Sequence, residues 1–117
     1  MPSNKKSDLQ QILDNGGATL NKNGAEVSFK NGYQVSKKDC FILNAKNIDD
    51  ISDAVDILLK NLKRNEYCGI WVDGADVYID ISEKINDKKT ALYIGRKRNQ
   101  KSIYEWSTGN CIECGGV

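Results

Sequence analysis

The chain contains no histidine among its 117 residues, and this absence narrows the chemistry that it can perform. Nucleophilic triads and most general-base sites use histidine because its imidazole titrates near neutral pH. Paired carboxylates are the usual alternative, but one of them needs a pKa raised by burial. The spacing of Asp76, Asp80 and Asp87 gives no sign of such a pair. We therefore interpret them as strand carboxylates and a helix cap, and we expect a binding protein rather than an enzyme.

Long apolar runs and the common ion- or phosphate-binding motifs are also missing. No apolar stretch approaches the roughly 18 residues that a membrane span needs, and the first residues lack the apolar core of a signal peptide. Asp73-Gly-Ala-Asp76 does not follow the calcium-loop pattern, and no glycine-rich loop ends in lysine. A formal net charge of +1 creates no field that would attract DNA or an anionic membrane. We expect a cytoplasmic protein with no cofactor, no metal, and neither DNA nor membrane as a partner.

The four cysteines are expected to be free thiols in a reducing cytosol. Cys40 and Cys68 each open an apolar, strand-like run, which is typical of small buried hydrophobic residues. Cys111 and Cys114 have the two-residue gap of a zinc knuckle or a redox pair. Zinc would need two further ligands from distant cysteines or carboxylates, and a redox pair usually opens a helix. We favour the third interpretation, a flexible Gly- and Cys-rich tail over residues 108–117.

Three helices are predicted from their caps and apolar spacing. A short one begins after Ser7 and ends near Leu13, before Gly16-Gly17. The longest covers residues 48–63, because apolar residues recur there at three- and four-residue intervals behind a capping Asn47. The third covers approximately residues 88–99, behind a capping Asp87.

The predicted strands are short and separated by Asn-Gly and Asp-Gly turns, which are strong hairpin signals. The chain begins its sheet with a three-stranded meander. One further strand, which we expect to be buried on both faces, lies between this meander and the long helix. A hairpin and a C-terminal strand follow that helix. These strands are predicted at residues 18–20, 26–29, 33–35, 40–43, 68–72, 76–81 and 101–106. The whole predicts a single α+β domain over residues 1–107, with a mainly antiparallel sheet and two to three helices packed on it.

The segment from Cys68 to Trp106 carries the residues best suited to bind a ligand. Its hairpin and last strand bring flat rings near a carboxylate, a combination that can stack a purine and accept hydrogen bonds from its amine or ribose. Arginines and amides at helix ends can hold phosphates. The alternative interpretation is that Trp71 is a core residue and that the helix dipole alone favours the Arg-Lys-Arg run. The candidate ligand-binding residues are Arg64, Trp71, Tyr78, Asp80, Arg96, Arg98, Asn99, Gln100 and Tyr104.

Four stretches of this segment and its surroundings resemble small phage-encoded proteins. These are Gly69-Ile-Trp-Val-Asp-Gly, Val77-Tyr-Ile-Asp-Ile-Ser, the helix end Arg98-Asn99-Gln100, and Ile103-Tyr-Glu-Trp. Gly32-Tyr-Gln-Val35 and the long amphipathic helix add to the likeness, which spans roughly residues 17–107. Within that group the chain most resembles the phage Thoeris anti-defence family, sponges that sequester cyclic ADP-ribose signals made by TIR-domain enzymes.

The resemblance implies a homo-oligomer, a dimer or a hexamer, with recessed pockets for glycocyclic ADP-ribose in the cytoplasm of an infected bacterium. It implies binding without cleavage, and it leaves room for separate cyclic-oligonucleotide sites in a higher oligomer. Two other functions stay open. One is a small phage protein that inhibits a host enzyme by direct binding, anchored by Tyr104, Trp106 and the basic helix end. The other is a hydrolase that degrades such a signal.

Overall fold

The computed structural model describes residues 5–115 and has the α+β fold that the sequence predicts. The helices are α1 (Lys5–Asp14), α2 (Ile48–Asn61) and α3 (Lys88–Lys97). The strands are β1 (Gly17–Leu20), β2 (Glu26–Val27), β3 (Tyr33–Asn44), β4 (Tyr67–Asp73), β5 (Asp76–Ile85), β6 (Ser102–Glu105) and β7 (Asn110–Glu113). They form one sheet in the order β2-β1-β4-β5-β3-β6-β7, and every neighbouring pair is antiparallel.

The main core lies between α1, α2 and one face of β4 and β5. The apolar stripe of α2 is buried there, as its periodicity predicts. Side chains alternate along a strand, so Ile70 of β4 enters this core while its neighbours Gly69 and Trp71 lie on the opposite face. Asn47 precedes α2 but makes no side-chain capping hydrogen bond. No helix within residues 5–115 has both the length and the apolar character needed to cross a membrane.

A second core cluster joins α3 to the other end of the same sheet face. It consists of Val35, Ala91, Ile103 and Cys114, all nearly inaccessible to solvent. The predicted cap of α3 is confirmed, because the Asp87 carboxylate accepts a hydrogen bond from the Thr90 backbone N–H at 2.8 Å. Hydrogen bonds from Thr90 hold the pKa of that carboxyl below its usual value. With all three helices on one side, the described helices leave the opposite sheet face uncovered.

The predicted meander is wrong beyond its first hairpin. β3 is a single strand of 12 residues that pairs with β5 and β6 instead of β2. Its register shifts between Ser36 and Lys38 and again between Asp39 and Phe41. These irregularities place the charged Lys-Lys-Asp segment inside the strand, where the sequence suggests a break. Burial on both faces is also wrong, since Ile42 is 59% exposed on the uncovered face.

The predicted loose tail is wrong over residues 108–115. β7 pairs with β6, and Cys114 is only 2% exposed because it packs in the second core cluster. The chain reverses at Gly109, which has a φ of +74° that glycine adopts without strain. The folded unit therefore continues past residue 107. Residues 116–117 lie outside the described part of the chain.

Candidate functional site

The sheet is strongly curved toward its uncovered face. β4 and β6 are three strand positions apart, which corresponds to roughly 14 Å in a flat sheet. Yet the rings of Trp71 on β4 and Tyr104 on β6 are in contact, with centroids 5.3 Å apart and an interplanar angle of 56°. The register shifts in β3, which lies between these strands, are the kind of irregularity that bends a sheet. The uncovered face is consequently concave.

A continuous row of five aromatic rings crosses this concave face. Its order is Tyr67, Phe29, Trp106, Tyr104 and Trp71, with neighbouring centroids 4.9 to 5.8 Å apart. Three of the four contacts are edge-to-face, a geometry that aromatic rings favour. All five side chains are half-buried. Trp71 thus belongs to the concave face, and its interpretation as a core residue does not hold.

A cavity of about 420 Å³ lies beside the Trp71–Tyr104 end of this row. It is lined by six of the predicted ligand-binding residues, from the hairpin, the end of α3 and β6. These are Trp71, Tyr78, Asp80, Asn99, Gln100 and Tyr104. Eight further lining residues were not predicted from sequence, namely Gln34, Ser36, Asp73, Ser82, Lys101, Ser102, Ile103 and Cys111.

The floor of the cavity is polar and buried. Asp80 is 5% exposed and stands opposite Gly69 across the β4–β5 ladder. A side chain at Gly69 would collide with the Asp80 carboxylate, so the glycine makes room for this acid. Ser82 follows on the same face of β5, and its Oγ accepts a 2.8 Å hydrogen bond from Gln34 Nε2.

Asn99 reaches the cavity because the backbone turns at the end of α3. Its φ is +62°, in the left-handed region that asparagine tolerates better than most residues. The adjacent Gln100 backbone N–H donates to the Gly95 carbonyl, which closes the helix. The helix end therefore presents an amide pair, Asn99 and Gln100, at the cavity wall.

The charged groups lining the cavity are two carboxylates, Asp73 and Asp80, and one ammonium, Lys101. Beneath the floor, on the core side of β4, the pKa of the Cys68 thiol is raised to about 12. Burial is the main cause, and electrostatic interactions with Asp80 and then Cys40 add to it. The cavity lining therefore holds more acidic than basic side chains, and the raised pKa of Cys68 favours its neutral thiol.

The structure does not bring the three candidate arginines into this cavity. Arg98 pairs with Glu83 at 2.5 Å and Arg96 donates through Nε to the Cys114 carbonyl at 3.0 Å. Arg64 lies with Lys22 and Lys63 at a separate surface depression, beside Tyr67. A phosphate clamp of arginines at the ring pair is therefore not assembled within this chain.

No cluster of three or more cysteine, aspartate or glutamate side chains in residues 5–115 is placed to hold a metal ion. Cys111 is exposed and lines the cavity, whereas Cys114 is buried and lies with its Sγ 2.9 Å from the Gln100 carbonyl. The two thiols lie in different environments, one at the cavity and one in the second core cluster.

A scan against protein-family models finds no matching family, and searches of curated proteins and of solved structures find no match either.

Proposed function

We propose that this protein binds and sequesters a nucleotide-derived signal in the cavity on the concave face of its sheet, without cleaving it. The observation that carries the proposal is the tilted ring pair of Trp71 and Tyr104 beside the buried carboxylate of Asp80. Such rings can stack a flat base, and the carboxylate can accept hydrogen bonds from an amine or from ribose hydroxyls. The cavity volume of about 420 Å³ lies within the range of small-molecule sites.

The charge of the cavity determines which way a phosphorylated ligand enters. Two carboxylates repel phosphates from the floor and the wall, whereas Lys101 attracts them. The side-chain amides of Asn99 and Gln100 add neutral hydrogen-bond donors on the same side. The base and sugar therefore point inward, and the phosphates lie near Lys101 in place of the arginine clamp.

The resemblance to phage Thoeris anti-defence sponges supports glycocyclic ADP-ribose as the ligand, with cyclic oligonucleotides as further candidates. It also supports a homo-oligomer, a dimer or a hexamer, that acts in the cytoplasm of the infected bacterium. The absence of histidine from the chain supports binding without turnover.

The cavity favours a small ligand over the alternative of a protein-binding inhibitor. Tyr104 and Trp106, the proposed anchors of that alternative, are half-buried within the aromatic row and contact each other at 4.9 Å. The large hydrophobic residues that are exposed, Ile42, Ile57 and Tyr93, lie on three different elements. They do not mark one hydrophobic interface within the described residues.

A release experiment tests the proposal. The protein is incubated with glycocyclic ADP-ribose, freed of excess ligand, heated, and the supernatant is analysed by mass spectrometry. We expect unchanged ligand at about one molecule per chain, and a higher melting temperature of the complex. A ligand at about 100 times its Kd adds about 2.7 kcal/mol to the free energy of unfolding. An altered product would indicate an enzyme, and absence of retained ligand would overturn the proposal.

Cys111 provides an independent reporter of occupancy. It is exposed at the cavity, whereas Cys68 and Cys114 are buried. We expect iodoacetamide to modify Cys111 first, and Cys68 and Cys114 only after unfolding, since the raised pKa of Cys68 also keeps its thiol unreactive. Saturating glycocyclic ADP-ribose should slow modification of Cys111 by roughly fivefold or more, read by peptide mass spectrometry. An unchanged rate with ligand bound would place the ligand elsewhere.

A further inference from the structure

A series of two side-chain hydrogen bonds at the cavity floor fixes the orientation of the polar groups there. Trp106 Nε1 donates to Gln34 Oε1 at 3.0 Å, and Gln34 Nε2 donates to Ser82 Oγ at 2.8 Å. An indole N–H can only donate, so the carbonyl end of the Gln34 amide faces Trp106 and its NH₂ end faces Ser82. Gln34 is 4% exposed, so water has little access to compete for the partners of this amide.

These two hydrogen bonds determine whether Ser82 can donate a hydrogen bond to a ligand or accept one. A hydroxyl has one hydrogen to donate and two lone pairs to accept with. Ser82 uses a lone pair for Gln34, so its hydrogen is available in another direction. Ser82 is 2% exposed, lines the cavity, and lies two residues from Asp80 on the same face of β5. The floor therefore presents a hydroxyl donor next to a carboxylate acceptor.

We propose that Trp106 and Gln34 are positioning residues that set this donor–acceptor pair, and that the pair selects an amino-substituted purine. Adenine carries an amine donor next to a ring-nitrogen acceptor on one edge. The amine would donate to Asp80 and the ring nitrogen would accept from Ser82. This inference rests on the proposed function, because it assumes that the cavity holds a nucleotide-derived ligand.

Paired probes test the selection. Adenosine 5′-monophosphate and purine riboside 5′-monophosphate, which lacks the amine, are titrated calorimetrically into wild type, W106F and S82A. We expect wild type to prefer the amine-bearing probe by roughly tenfold or more, as for a hydrogen bond to a charged group. W106F keeps an aromatic ring in the row but removes the donor, and S82A removes the hydroxyl. D80N, titrated with the same pair, should bring the preference for the amine toward one.

Both probes keep the ring nitrogens, so W106F and S82A are tested with the 1-deaza and 7-deaza forms of adenosine 5′-monophosphate, which keep the amine and each lack one ring nitrogen beside it. Wild type should prefer the unmodified probe over one of these forms by roughly threefold or more, as for a neutral hydrogen bond. W106F and S82A should lose that preference, whereas a merely structural role would weaken both of these probes alike.

Two matched variants serve as controls. S52A removes another buried serine, on α2 and outside the cavity lining. Y33F removes a hydroxyl that donates to Glu105, also outside the cavity lining. Both should keep the wild-type preference, and melting temperatures verify that each variant is folded. The 2′-deoxy form of adenosine 5′-monophosphate tests whether the floor recognises the ribose instead. If removal of the 2′-hydroxyl costs more affinity than removal of the amine, the floor recognises ribose and the inference is overturned.

The two proposals fail in different ways. If wild type retains glycocyclic ADP-ribose but binds the two monophosphates equally, or binds neither, only the selection by the floor is overturned. The same holds if W106F and S82A both keep the wild-type preference for the ring nitrogen. If the release experiment finds no retained ligand, the proposed function falls and this inference falls with it.

Discussion

Replacement of Asp80 by asparagine should weaken binding of glycocyclic ADP-ribose by roughly 10- to 100-fold. A hydrogen bond to a charged acceptor is about twice as strong as one between neutral groups, and loss of the charge removes that excess and one acceptor oxygen. Asparagine has nearly the same shape, so it fits in the space that Gly69 leaves open. The affinity is measured by isothermal titration calorimetry, and the melting temperature of the free protein is measured alongside it.

D76N is the matched control for D80N. Asp76 lies on the same strand and the same face of β5, but it is exposed and does not line the cavity. We expect its affinity to stay within about twofold of wild type, since an exposed charge outside the site contributes little. Equal effects of D80N and D76N would mean that overall charge, rather than the cavity floor, controls binding.

Substitutions at two adjacent residues of β4 should have different effects, one mainly on the stability of the fold and the other mainly on ligand binding. Ile70 is fully buried in the main core, so I70A should lower the free energy of unfolding by about 2–5 kcal/mol, from lost burial and the cavity left behind. Trp71 is the next residue but lies on the concave face. W71A should weaken ligand binding by roughly 5- to 100-fold, the range measured for loss of one base-stacking ring.

Urea unfolding and calorimetric titration measure the two effects on the same samples. I70A should keep near-wild-type affinity in its folded fraction, and W71A should lose less stability than I70A because its side chain is half-buried. If I70A weakens binding as much as W71A does, then the two sheet faces are not independent. In that case the cavity depends on the tightness of the core beneath it.

Local signals in the sequence predict the elements that depend on local physics. The three- and four-residue spacing of α2 reflects one buried stripe, and the structure buries that stripe. The Asp73-Gly74 turn predicts the β4–β5 hairpin, and Asp87 predicts the start of α3. In each case the determining interactions lie within a few residues of one another.

The sheet order depends on partners far apart in sequence, and these could not be read from the chain. Alternation along a strand assigns its faces but not its neighbours. The charged segment at residues 37–39 predicts a break between two strands. In the structure the register of β3 is irregular there, so Lys37 and Lys38 stay in one continuous strand and remain exposed. The curvature that brings Trp71 into contact with Tyr104 could not be predicted from the sequence either, because no local pattern encodes it.

Six of the candidate residues line the cavity, whereas other lining residues reach it only through long-range strand pairing. Ser82 was missed because the predicted strand ends at residue 81, whereas β5 continues to Ile85 and places Ser82 on the same face as Asp80. Gln34 enters only through the long-range pairing of β3 with β5 and β6. Arg96 and Arg98 lie outside the cavity lining and instead contact the Cys114 carbonyl and Glu83, which become their neighbours only on folding.

The walls that carry Trp71 and Tyr104 belong to strands that share no backbone ladder. The Trp71 and Tyr104 rings bridge the gap between them at a centroid distance of 5.3 Å, so a molecule bound beside this ring pair would contact both β4 and β6. The register shifts of β3 lie on the strand that connects β6 to β4 through β5, and such irregularities bend a sheet. Deletion of Lys37, the extra residue between Ser36 and Lys38, should remove one of these irregularities, make the sheet flatter and move the two rings apart. The distance between the two rings would then depend on an exposed residue outside the cavity lining.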